Sequence, residues 1–148
     1  MKTKKNKILL KRMVFGSGLG LVAGLLCFAG FSSQPNIPTE YAQYQVWSWS
    51  NVWLWRTLLN RLVLGSMVAI AGFITVHPLL GFKISAWMRG AKIGFLISLP
   101  MAVSSLMNSN PEMAKSGFWM VLIAGTIIGL IIDVIITKFS GEGEELCV

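Results

Sequence analysis

The chain has 148 residues, of which 54% are hydrophobic and only 13% charged, with a formal net charge of +7. A soluble domain keeps roughly a quarter of its residues charged, so this composition excludes an ordinary water-soluble enzyme. The basic excess flanks apolar stretches instead of forming a polar face, which reads as membrane-orientation charge and not as a nucleic-acid footprint.

A membrane-spanning helix needs about 20 mainly apolar residues, because the hydrocarbon layer is roughly 30 Å thick. The expected fold is therefore all-α: a polytopic integral membrane protein with four transmembrane helices in a single domain over residues 1–148. The first helix covers about 12–31, following Lys11 and Arg12. Its apolar run exceeds the roughly 7–15 residues of a signal peptide, and no small-x-small cleavage site follows, so it is read as a retained helix. Gly16, Gly20 and Gly24 recur along it at four-residue intervals. Cys27 is expected to pack as a small apolar residue, and Cys147 lies in the tail, so no disulfide within the chain is expected.

Residues 32–55 form the outer loop, with Pro35, Pro38 and polar side chains at its start. Its second half places Trp47, Trp49, Trp53 and Trp55 close together. Tryptophan favours the headgroup level, so this segment is expected to be an interfacial aromatic belt, with a docking face as the functional alternative. Ser50 is the expected cap of the second helix. That helix covers 56–77, with Pro78 ending it just after His77 and a looser small-residue set in Gly65, Ser66, Ala69 and Gly72.

The inner loop, 78–89, mixes apolar and basic residues and reads as a short amphipathic piece anchored by Trp87. The third helix, 90–107, carries Gly90, Gly94, Ser98 and Ala102 at the same four-residue spacing. Pro100 has no N–H for the Leu96 carbonyl, which predicts a kink. The fourth helix, 118–138, continues the pattern with Gly125 and Gly129, and the next member of that row is Asp133. An acidic, glycine-containing inner tail fills 139–148.

Cytoplasmic flanks collect Lys and Arg. With the N-terminus inside, Lys2, Lys4, Lys5, Lys7, Lys11, Arg12, Lys83, Arg89, Lys92 and Lys138 fall on the inner side, and only Arg56, Arg61 and Lys115 on the outer. The expected location is the cytoplasmic (inner) membrane, with both termini cytoplasmic.

Small-residue rows let helix backbones approach closely, which is how helices associate in lipid. They predict seams inside the chain and, in part, against another subunit or a second copy. A charge inside the bilayer is costly and demands a partner or a purpose. Asp133 is the clearest such charge, and an inner-leaflet polar cluster of Asp133, Lys92 and His77 is expected, with Arg89 one turn shallower. There is no phosphate-binding loop, no HExxH and no GxSxG, and the chain has one His. Neither catalytic residues nor cofactor or metal ligands are expected. The reading is a non-catalytic packing or assembly subunit whose partners are the lipid bilayer and other membrane subunits or itself, not nucleic acid. The alternative is a small ion or solute channel or transporter built on the polar cluster and Pro100.

Overall fold

The computed structural model describes residues 2–35, 37, 39–76 and 81–142. Four long helices dominate: α1 (Lys2–Ser32), α3 (Val52–Ala71), α4 (Ala86–Ser105) and α5 (Pro111–Ser140), with a single helical turn α2 (Thr39–Ala42) and a 3₁₀ turn (Gln43–Gln45) between the first two. Among the described residues there are no strands, only an isolated antiparallel bridge between Val76 and Lys83.

The start of α3 and both ends of α5 have a local cause. Asn51, not Ser50, caps α3: its side-chain oxygen accepts from the Trp53 amide at 2.9 Å, while its Nδ2 donates to the carbonyls of Tyr44 and Val46, both at 2.8 Å. An amide both accepts and donates, so it can fasten the incoming loop as well as the helix, which a serine hydroxyl cannot do at three points. Helix α3 stops at Ala71, short of the expected end at His77, and His77 with Pro78 lies outside the described residues. Asn110 caps α5 by accepting from Glu112 and Met113, and Pro111 occupies the first turn, where its missing N–H is harmless. That cap starts α5 seven residues earlier than the expected 118. Gly141 ends it with φ 73°, a left-handed position that glycine takes without strain. Pro100 sits inside α4, which runs through it. Residues 81–85 are not helical, and Trp87, expected to anchor the inner loop, lies in the first turn of α4 with its side chain exposed.

Three helices are long and apolar enough to cross a membrane: Ile8–Ser32, Val52–Ala71 and Pro111–Ser140. Helix α4 is as long as α3 but is not among them, and it carries Arg89 and Lys92. The surface supports membrane residence. Leu26 is 68% exposed and Val14 63%, whereas Arg12 and Asp133 are fully buried. An apolar exterior around a polar interior is the arrangement that a lipid solvent favours.

The helices pack as two antiparallel pairs, α1 with α3 and α4 with α5, which form the most extensive contacts. In the first pair Gly16 meets Gly65, Gly20 meets the Arg61 backbone and Gly24 meets Leu58. In the second, Gly90 meets Gly129, and Gly94 meets Gly125. A Cβ on any of Gly16, Gly20, Gly90 or Gly94 would run into a backbone carbonyl of the facing helix. The small-residue rows are thus consumed between helices of one chain. Apolar contact fills the centre with Leu64, Val68, Ala69, Ile132 and Ile136, and one end with Phe28, Leu54 and Leu58. Lys11 Nζ donates to the Phe139 carbonyl at 3.0 Å, so the start of α1 and the end of α5 share one end of the bundle.

Candidate functional site

Three of the small-residue rows lead directly to charged groups. On α1 the buried row Gly16, Gly20, Gly24, Phe28 extends back to Arg12. On α3 the row Thr57, Arg61, Gly65, Ala69 is buried throughout. On α5 the row Gly125, Gly129 reaches Asp133 and then Thr137. Residues four apart lie on one helix face, so a close-packing seam inevitably carries these charges into the bundle.

Asp133 is enclosed by two arginines. Arg12 Nη2 donates to Oδ1 at 2.8 Å; Arg89 donates through Nε to Oδ2 at 2.7 Å and through Nη2 to Oδ1 at 2.9 Å. The Arg89 contact is two-pronged, the geometry that suits a planar guanidinium on a carboxylate. Thr137 Oγ1 donates to Oδ1 at 3.2 Å and accepts from Arg89 Nη2 at 3.1 Å. Arg12 also donates through Nε to the Ala69 carbonyl at 2.8 Å and through Nη1 to the Gly141 carbonyl at 2.6 Å, and Nη1 and Nη2 each reach Thr137 Oγ1 at 3.4 Å. Gly72 lies against the Arg12 guanidinium, in space that a Cβ would occupy. Arg89 Nη1 also donates to the Ile74 carbonyl at 3.1 Å and lies 3.1 Å from Glu142 Oε2. Helices α1, α4 and α5 and the end of α3 are thereby tied at one point. Desolvating such charges is costly, and only near-complete pairing offsets it.

A second polar layer lies midway along the bundle. Arg61 is 2% exposed and donates through Nη1 to Ser98 Oγ at 2.8 Å. It forms no ion pair among the described residues, and its Nε is buried without a partner. Towards the Trp-rich end, Asn60 Nδ2 donates to the Ile97 carbonyl at 3.1 Å, and Arg56 Nη2 donates to the Met101 carbonyl and to Ser104 Oγ. These donors reach α4 on either side of Pro100, at the Ile97 and Met101 carbonyls and the Ser104 hydroxyl. A groove of about 330 Å³ opens there, lined by Arg56, Asn60, Pro100, Met101 and Ser104.

The expected cluster is thus only partly assembled. Asp133 and Arg89 come together; Lys92 is exposed and makes no ion pair among the described residues; His77 lies outside them. Arg12, a flanking charge by its position in the sequence, takes the place expected of Lys92. The tryptophans of residues 47–55 pack against neighbouring rings at one end of the bundle. Trp47 meets Phe28 edge-on at 4.8 Å, Trp53 stacks on Phe31 at 5.7 Å, and the Arg56 guanidinium lies over Trp53 at 5.1 Å. Trp49 and Trp55 pair at 5.7 Å, and Trp49 is 77% exposed.

Two signals for the missed residues were present in the sequence. Stepping back four from Gly16 reaches Arg12, and Lys92 stands about 200° around α4 from Gly90, opposite the close-packing face. No family model, curated protein or solved structure matches the chain.

Proposed function

We propose that this is a four-span protein of the cytoplasmic membrane, α4 included, with both termini cytoplasmic, and that it passes a small ion or solute between its two helix pairs. The observation that carries this reading is the contrast between the seams. Within each pair, glycines bring backbone against backbone. Between the pairs, the contacts include Arg12 with Asp133, Arg61 with Ser98, Asn60 with Ile97 and Arg56 with Ser104. Two stiff pairs whose shared apolar centre is flanked by these polar contacts have a plane along which they can separate, and intramembrane polar groups are where pathways lie. The ten-to-three distribution of basic residues supports the orientation, and the 20 residues of α4 give about 30 Å of helix, enough for the hydrocarbon layer.

Reconstituted into sealed vesicles, the protein is expected to release or admit small ions or solutes, and Asp133→Asn to change that flux. Vesicles that stay tight across a broad panel of cations, anions and neutral solutes overturn the reading. A non-catalytic assembly subunit, in complex with other membrane proteins or with itself, is the second reading, favoured by the exposed rings of Trp47, Trp49 and Trp55 at one end of the bundle. Native mass measurement after gentle purification decides between them, a monomer supporting the first and a stoichiometric complex the second.

A further inference from the structure

We propose that Arg61, steadied by Ser98 at the middle of the bundle, is the binding site of a small monovalent anion of about halide size. The inference deepens the passage reading and rests on it for the route by which the anion arrives.

Arg61 stands midway along the 20 residues of α3 and is 2% exposed. A guanidinium carries five N–H donors and a permanent charge, and burying it without a counter-charge is among the costliest arrangements in a protein. The other buried arginines have solved this problem: Arg12 and Arg89 share Asp133. Arg61 has no described carboxylate, and its one hydrogen bond to a described residue uses Nη1. Nε lies on the opposite edge of the guanidinium, buried and unpartnered. That edge is the one a guanidinium offers to an anion.

The surroundings set the role of Ser98 and the size of the ligand. Ser66, Ser104 and Thr126 each donate their hydroxyl hydrogen to a carbonyl about one turn back, at 2.9, 2.7 and 2.8 Å. Ser98 is fully buried, and its oxygen instead receives Arg61, which fixes the guanidinium plane. Ser98 is therefore a positioning residue. A Cβ at Gly125 would lie 3.1 Å from Arg61 Nη1 and on top of the Ser98 hydroxyl, so the Nη1 side is closed and the Nε edge is left for the ligand. With Arg61 2% exposed, a halide fits beside that edge better than a phosphate or carboxylate. The route we assign to the anion starts at the groove beside Pro100, which Asn60 and Arg56 of the same helix line, Arg56 standing about 7.5 Å up the helix axis from Arg61 towards the Trp-rich end.

The test uses the purified full chain in mild detergent, with chloride as probe and gluconate as the ionic-strength control. Replacing gluconate by chloride is expected to raise the melting temperature by about 3 °C at saturating chloride. Arg61→Met should abolish that rise while melting no lower than the wild type in gluconate, since it removes an unpaired buried charge. Arg61→Lys should keep a smaller rise, and Ser98→Ala should weaken apparent chloride affinity about tenfold. No chloride-specific rise in the wild type, or a rise that survives in Arg61→Met, overturns the inference. If Arg61→Met does not fold, the chloride titration of Ser98→Ala decides, an unchanged affinity overturning it. Flux in vesicles is measured separately. Chloride binding through Arg61 without flux leaves the site and removes the passage reading, whereas flux indifferent to chloride and to Arg61 does the reverse.

Discussion

Removing the charge of Asp133 probes the buried cluster most directly. In Asp133→Asn the side chain keeps its shape, but Arg12 and Arg89 lose their common anion. Their Nη2 atoms bond the same Oδ1 at 2.8 and 2.9 Å, so they lie no more than about 5.7 Å apart. Two like charges at that separation repel by about 3 kcal/mol at an effective dielectric constant near 20. Breaking a buried pair by removing one partner costs roughly 3–5 kcal/mol, and the expected destabilisation lies in that range. Arg12→Met should cost less, because Asp133 would still hold the two-pronged contact with Arg89. Lys92→Ala, on an exposed side chain outside the cluster, should change stability by less than about 0.5 kcal/mol. Reversible unfolding in mixed micelles, followed by tryptophan fluorescence, gives the three values. Asp133 does not hold the two arginines together as described if Asp133→Asn lies within about 1 kcal/mol of the wild type, or if Arg12→Met is the more damaging of the two.

Gly20 and Gly18 make a matched pair on one helix: a Cβ at Gly20 would fall on the Arg61 carbonyl, whereas nothing lies within 4 Å of one at Gly18. Gly20→Ala should destabilise by about 1–3 kcal/mol through overpacking, and Gly18→Ala should be neutral or stabilising by up to about 1 kcal/mol through helix propensity; equal effects in the same unfolding assay would contradict the close α1/α3 seam. Asn51→Ala removes a helix cap and two bonds to the incoming loop, so a loss of about 1–2 kcal/mol and increased proteolysis between residues 43 and 51 are expected. Unaltered proteolysis in that variant would show that the aromatic contacts alone hold the loop.

Much of this architecture follows from local chemistry. Hydropathy over 18-residue windows marks three helices whatever they pack against, and the four-residue rows of glycine identify the faces that meet. The row Gly125, Gly129, Asp133 also directs the acid inward before any neighbour is known. Boundaries were less legible, because they depend on caps. Asn51 outcompetes Ser50 only once the carbonyls of Tyr44 and Val46 fold back to receive its amide.

Partners were decided by tertiary structure alone. Arg12 and Asp133 are 121 residues apart, and their meeting depends on α1 and α5 sharing one end of the bundle, which no local pattern encodes. Lys92 and Arg89 are equally basic in composition; the rotation of α4 that seats Gly90 and Gly94 against α5 also directs Arg89 inward and leaves Lys92 exposed. Arg61 reads in sequence as one more flanking cation. Its burial opposite Ser98, without a described carboxylate, emerges only when α3 is pressed between α1 and α4. Helical periodicity determines which residues share a face, but the assembly of those faces determines which charges are matched and which is left over.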